Sequence, residues 1–279
     1  MSGATEHRDV IPEDEARDLN RRSWDERALA HGQDPSYYDT ESFLAGGSTL
    51  RDLDVELAGD VDGRDLLHLQ CHFGLDSLSW SRQGARVTGV DFSPVAIGRA
   101  RELAGRTGLA ADFVTADVLD LPADLTESFD VVWASYGVFA WIGDLRAWAR
   151  SAARALRPGG RLAVVDLHPL ARMIEQRNPL VVDSPYADDG PHHYSSATSY
   201  AAPDRPLENR ETVQWSHSLG ELVSAFAAAG LRIDTVEEHL TSERNDRAGV
   251  LTEGADGLWR LQLWEYPLPV LFSIRATKP

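Results

Sequence analysis

One cysteine, Cys71, stands alone among 279 residues, so no intrachain disulfide can form and nothing calls for an oxidising compartment. Lysine is nearly absent too: Lys278 is the only one, and arginine supplies the remaining basic charge. Acids outnumber bases 44 to 27, a formal net charge of -17. An acidic surface repels phosphate backbones and anionic lipid, so neither nucleic acid nor membrane is expected as a partner. Uninterrupted apolar runs long enough to cross a bilayer are missing. The N-terminal stretch MSGATEHRDVIPEDEARD lacks an apolar h-region, and the chain is expected to be soluble and cytoplasmic. Internal repeats and low-complexity segments are missing as well.

What is present is ordinary globular composition, 43% hydrophobic and 25% charged, in a chain long enough to bury a core without staples. Residues 1–60 are expected to form a helical N-terminal cap. Pro12 followed by Glu13, Asp14 and Glu15 suits a first helical turn, where acids meet the positive end of the dipole. Leu19, Trp24, Ala28 and Leu29 offer an apolar stripe for that helix. SYYDTESFLAGGSTL, from residue 36 to 50, reads as loop plus short helix.

From residue 64 strands and helices alternate. Asp65 to Gln70 predicts a buried strand, with Asp76 and Ser77 capping the helix behind it. ARVTGVD predicts a second strand, and Ser93-Pro94 a helix start with a hydroxyl cap and proline at its first position. ADFVTAD and SFDVVWAS predict the third and fourth strands. Asp144 should cap a helix striped by Leu145, Trp148, Ala149, Ala152 and Leu156, stopped by the Pro-Gly-Gly at 158–160. RLAVVDLHP then predicts a fifth strand. Residues 170–210 break the rhythm and are expected to form an insertion or lid. ETVQW, LRIDTVEEH and PVLFSIRAT predict further strands, and Leu219 to Ala229 a helix ended by Gly230. Strands spaced by helices imply right-handed crossovers and an α/β fold with a mostly parallel sheet.

Such sheets bind ligands outside the carboxyl ends of their strands. The stretch LLHLQCHFGLDS, residues 66–77, sits at that place. Gly74 permits close approach, and the following helix offers unpaired N–H groups. Asp91 closes the second strand 17 residues later, where a carboxylate can accept both hydroxyls of a ribose. A zinc site fares worse. His68, Cys71 and His72 alternate across a strand end, and no second ligand cluster stands at a suitable spacing. Cys71 reads as a small buried hydrophobe rather than a nucleophile.

The order LLHLQCHFGLDS, VTGVDFSP, ADFVTADVLDLP, FDVVWASYGVFAWI, LRPGGRLAVVD resembles the class I S-adenosylmethionine (SAM)-dependent methyltransferases, and most closely a bacterial subgroup with a Leu-Gln-Cys-His run. By motif the likeness covers about residues 60–170. It implies a doubly wound, mostly parallel, seven-stranded Rossmann-like sheet with helices on both faces and an antiparallel C-terminal strand. A methyltransferase domain would then occupy residues 61–279. It implies SAM as cofactor and S-adenosylhomocysteine (SAH) as product. Gln70, His72 and Gly74 would face its methionine and ribose, Asp91 the ribose hydroxyls, and Phe92 the adenine. Asp117 would accept the adenine amino group between Ala116 and Val118. Ser135 would lie near the methionine, and Tyr38 is placed at the same site by the aromatic N-terminal segment expected to close over it. The wider family has an acid where His68 stands and glycines where Gln70 and His72 stand, so a side chain at Gln70 would replace the usual hold on the cofactor's amino group.

Methyl transfer requires the acceptor in line with the S–CH₃ bond, and a hydroxyl acceptor usually also a base. His168, Tyr136 and His217 are the candidates; His192, His193 and Tyr194 lie in the irregular segment. A small-molecule acceptor is the leading reading, compatible with a homodimer. A protein or nucleic-acid methyltransferase is weaker, because Ser135-Tyr136-Gly137-Val138 replaces the Asn- or Asp-Pro-Pro-aromatic run of amino-methylating DNA enzymes. A different or non-catalytic nucleotide binder stays open, although G-x-G-x-x-G is missing after the first strand.

Overall fold

The computed structural model describes residues 11–32, 37–187 and 190–279. The expectations for residues 1–10, for Ser36 and for two positions inside the insertion, 188–189, lie outside the described residues.

Seven strands form the central sheet: β1 (Asp65–Leu69), β2 (Arg86–Asp91), β3 (Ala111–Thr115), β4 (Phe129–Ser135), β5 (Leu156–Leu167), β6 (Arg232–His239) and β7 (Leu271–Thr277). Their spatial order is β6-β7-β5-β4-β1-β2-β3. Only β7 runs antiparallel to its neighbours β5 and β6; the other pairings are parallel. The order reverses between β1 and β4, which leaves a crevice at their carboxyl ends.

Helices cover both faces, so the central strands are buried apolar runs. Alternate residues of β1 face opposite ways. Leu66 packs with Trp80 and Trp133, under α3 (Asp52–Ala58) and α4 (Leu75–Arg82). Leu67 and Leu69 pack with Trp148 of α6 (Leu145–Ala155) and Phe226 of α8 (Leu219–Ala228). On α5 (Pro94–Thr107), Ile97 and Ala100 meet Phe113 and Leu78.

Three local expectations are corrected. Helix α4 starts at Leu75 with Gly74 as its cap residue, so Asp76 and Ser77 lie inside the first turn. Their side chains bond elsewhere, Asp76 to Thr49 and Ser77 to His68. Helix α6 ends at Ala155, and the Pro-Gly-Gly run lies inside β5 where the β4–β5 register shifts. Helix α1 (Glu13–Ala30) turns a partly polar face inward, burying Asn20, Ser23 and Arg27 and leaving Leu29 half exposed. Its neighbour is a backbone edge that needs hydrogen bonds. The Asn20 carboxamide donates to the Val213 carbonyl (2.7 Å) and accepts from the Val213 amide (2.8 Å). Glu26 accepts from the amides of Glu208 and Asn209, both at 2.7 Å.

That edge belongs to a hairpin-like pair, His192–Ser195 with Glu211–Gln214, outside the central sheet. The insertion therefore has order of its own, built from short two-stranded ribbons. A three-stranded ribbon over Thr252–Glu253, Trp259–Leu263 and Tyr266–Leu268 was not expected. Among the described residues no helix is long and apolar enough to cross a membrane.

Candidate functional site

A cleft opens at the carboxyl ends of β1, β2 and β4, roofed by α1, α2 (Thr40–Leu44) with the segments beside it, and Tyr200 of the insertion. It holds about 1330 Å³ counted to its open mouth. A one-ligand site typically takes roughly 300–1,000 Å³.

The chain leaves β1 in a tight turn. Gln70 and His72 adopt φ of 55° and 51°, and Gly74 one of 85°. Left-handed backbone is uncommon for side chains other than glycine and clusters at functional sites. The turn crosses over the end of β2: the Cys71 amide donates to the Val90 carbonyl (3.0 Å), and the His72 amide to Asp91 Oδ2 (2.9 Å). The other carboxylate oxygen, Oδ1, accepts from the Ser93 amide (2.9 Å). Two backbone donors thus pin the Asp91 carboxylate against the cleft, with lone pairs left for a ligand. Burial lifts its pKa to about 6, the two amides opposing. Gly74 must remain bare for a second reason, since a Cβ there would stand 2.9 Å from Ala100 and from the Phe113 ring.

Among the predicted cofactor residues, Tyr38, Gln70, His72, Gly74, Asp91, Phe92, Asp117, Val118 and Ser135 all line this cleft. Ala116 does not. Its amide donates to the Asp91 carbonyl (3.0 Å), and it borders a shallower groove beneath α1. Gln70 and Asp117 are among the lining residues already engaged by other side chains. The Gln70 carboxamide donates to the Val138 carbonyl (3.0 Å) and accepts from Trp148 Nε1 (3.1 Å). Asp117 accepts from the Leu119 amide (2.9 Å) and pairs with Arg17 of α1 at 2.5 Å.

Among the described residues no three His, Cys, Asp or Glu side chains gather as a metal-holding group, and the histidines of the β1 turn bond instead to neighbouring side chains. His68 Nδ1 meets Ser77 Oγ at 2.8 Å. Burial holds the His68 pKa down near 4 and raises the Cys71 thiol well above its ordinary value. His72 Nε2 meets His31 Nδ1 at 2.9 Å, and His31 Nε2 meets Ser199 Oγ at 2.7 Å. This chain ties the insertion to the end of α1 and to the glycine turn. Burial keeps both of its imidazoles neutral, His31 near pKa 3 and His72 also well below its usual value.

Of the three candidate bases, the structure brings only Tyr136 to the cleft. His168 is buried behind β5, where it caps α7 (Pro169–Met173): Nδ1 accepts from the Leu170 amide (3.1 Å) and Nε2 meets Glu238 (2.8 Å). His217 Nε2 donates to the Ile142 carbonyl at 2.6 Å and also lies outside the lining. Both stand where the sequence places them, at element ends, but the chain turns them toward neighbouring backbone and side chains. His192 and His193 sit on the insertion's paired strand, outside the cleft.

Sequence reasoning missed the groups around Tyr136. Its phenol donates to Asp54 Oδ1 (2.7 Å), and the Arg51 guanidinium stacks 3.6 Å from its ring centroid. Arg51 forms a buried two-bond pair with Asp246, at 2.7 and 2.6 Å. Asp54 and Asp246 carry no motif and lie nearly 200 residues apart, so only the fold joins them. The turn after β4 is fixed from β5, where Asp166 accepts the amides of Gly137, Val138 (3.1 Å) and Phe139 (3.2 Å).

Residues 66–160 match a family model described as a methyltransferase domain. The ubiquinone biosynthesis O-methyltransferase of Xanthomonas oryzae pv. oryzae is 35% identical over 39% of this chain and 45% of its own. The 27-O-demethylrifamycin SV methyltransferase of Amycolatopsis mediterranei is 36% identical over 53% of this chain and 54% of its own. The chain thus spans about half the length of the curated relatives it matches. Among solved structures, an S-adenosylmethionine dependent methyltransferase from Mesorhizobium loti superposes with a TM-score of 0.57, at 21% identity over 84% of this chain and 99% of that one. The fold is the Rossmann-like one expected from the sequence.

Proposed function

We propose that this protein is a SAM-dependent methyltransferase acting on a small-molecule acceptor. One observation carries the reading: a buried carboxylate, Asp91, is held by two backbone amides at the end of β2, in a cleft beside a glycine turn. Phosphate would be repelled there, whereas vicinal hydroxyls find acceptors already oriented. The donor set fits an adenosyl group. Asp91 would take the ribose, Phe92 an adenine face, and Asp117 with Val118 its edge, while Gly74 and Ser135 border the methionine end. Gln70 takes the place of a glycine, but its amide also braces the turn after β4. It serves that turn as well as any ligand.

When bound, SAM supplies a methyl group on a sulfonium that leaves as a neutral thioether. The chain's own part is to orient the acceptor and exclude water. Trp24, Trp141, Trp215 and Tyr200 line the cleft with large apolar surfaces suited to both tasks. The names of the matched relatives, O-methyltransferases of small molecules among them, favour the same acceptor class.

Thermal unfolding with SAH tests the reading. At a hundredfold excess over its dissociation constant, SAH should stabilise the protein by about 2.7 kcal/mol. Asp91→Ala should remove most of that gain. An equal gain in the variant, or none in the wild type, would sink the assignment.

A further inference from the structure

We propose that Tyr136 and Asp54 form a proton-accepting pair and that the methyl acceptor is a phenol-type hydroxyl on a flat aromatic molecule. The inference rests on the methyltransferase reading and deepens it. Tyr136 is the first residue after β4, at φ 51°, a conformation that costs free energy and is held by a bond from its amide to the Val165 carbonyl (2.9 Å). The strain turns a side chain toward the cleft where a glycine would sit freely. Its phenol reaches Asp54 at 2.7 Å, and the carboxylate's second oxygen accepts the Arg51 amide at 2.8 Å. Asp54 is only 1% exposed, so its route to a ligand runs through Tyr136. Asp54 is therefore a positioning and proton-holding residue; Tyr136 is the group that would touch the acceptor.

Arg51 lies over the Tyr136 ring and is itself neutralised by Asp246. Asp76, bonded to Thr49, repels a charge on Asp54 from the α4 side. Burial and that repulsion lift Asp54 to about 7, opposed by the Arg51 amide, the Tyr136 phenol and the Arg51 charge. A carboxylate so poised can hold a proton at neutral pH and give it up again. An amine acceptor that is already neutral needs no such pair, whereas a hydroxyl does. The cleft's indole and phenol walls match a planar ring.

The acceptor O–H proton passes to Tyr136 Oη while the tyrosine proton passes to Asp54 Oδ1. The electron pair left on the acceptor oxygen forms the O–CH₃ bond, and the C–S pair stays on sulfur. Asp54 then returns its proton to solvent through Tyr136.

The test uses the full chain, SAH as the binding probe, and phenol and aniline as acceptor probes with methyl-labelled SAM. Label should reach phenol and not aniline. Tyr136→Phe should lower kcat on phenol by about 100-fold or more, with SAH affinity held within about twofold. In the wild type kcat should rise as pH climbs to about 7. Asp54→Asn should flatten that limb, and Asp54→Glu should restore it in part. Without any acceptor, the carboxyl carbon NMR signal of Asp54 should titrate near neutrality, and its midpoint should move in Tyr136→Phe. Label on aniline at least equal to that on phenol, phenol transfer unchanged in Tyr136→Phe or in Asp54→Asn, or no transfer to phenol while SAH binds would each overturn the proposal. Failure of SAH to bind the wild type would instead overturn the reading beneath it.

Discussion

Asp91 sits in a trap made of its own backbone. The amides of His72 and Ser93 orient the carboxylate, while burial raises its pKa to about 6. Its proposed use as a ribose acceptor thus has a pH limit. Calorimetric titration should show SAH binding weakening as pH falls through 6, because the protonated acid loses acceptor capacity; affinity that stays level from pH 7.5 to 5 would exclude this role. Gly74 makes a separate demand. Alanine there meets both a left-handed φ and contacts of 2.9 Å, so Gly74→Ala should cost roughly 1–3 kcal/mol in urea unfolding. The residues of the proposed site are unequally visible in the sequence. Asp91 and Gly74 stood out because short-range chain geometry forces acid and glycine into a recognisable turn. His168 and His217 misled because position at an element end was the sole signal, and capping and carbonyl bonds took up their rings. Asp54 was invisible, as its partners come from distant segments.

At the scale of elements, α5 shows how local chemistry settles a boundary. Ser93 Oγ accepts from the Ala96 amide (3.0 Å) and donates to Asp25 of α1 (2.5 Å). Ser93→Ala should therefore lose a helix cap and a tether between helices together, about 1–2 kcal/mol by denaturant titration. The parallel strands were legible for a physical reason: burial on both faces leaves dense apolar runs that few other structures tolerate. The ribbons of the insertion and of 252–268 have strands of two to five residues, too short for a period to register. Helix α1 misled for the opposite reason. It docks through Asn20, Ser23 and Glu26 against exposed backbone, so its inward face does not read as apolar. The Ser199–His31–His72 chain adds a clasp to this roof, beside the Tyr38–Tyr200 bond at 2.7 Å. His31→Ala should leave the sheet folded but speed proteolytic cutting within 190–210; unchanged cutting would show that the clasp holds nothing.

Across the whole molecule, buried ionisable groups compete. His31, His68 and His72 are held neutral, so unfolding between about pH 4 and 6.5 lets each take up a proton. Asp54 and Asp91 are held protonated below about 7 and 6, so unfolding in the same window releases theirs. Burial lowers His168, His217 and His239 as well and raises Asp166, so lowered histidines outnumber raised carboxyls six to three and unfolding takes up protons on balance. Stability should fall as pH drops from 6.5 toward 5, by on the order of 1 kcal/mol per pH unit. Urea midpoints at several pH values check the sign. The net charge of -17 adds self-repulsion, so moderate salt should raise the midpoint in the absence of ligand.

The distribution of indoles has an optical consequence. Trp80, Trp133 and Trp148 are sealed in the interior, Trp259 and the exposed Trp264 lie on the 252–268 ribbon, and Trp24, Trp141 and Trp215 border the cleft. Excited near 295 nm, the protein carries five indoles away from the cleft and three that report on it. An adenine or aromatic guest seated among the bordering rings should dim and shift only the latter. Ligand arrival can then be followed by emission alone, with no dye attached to the chain.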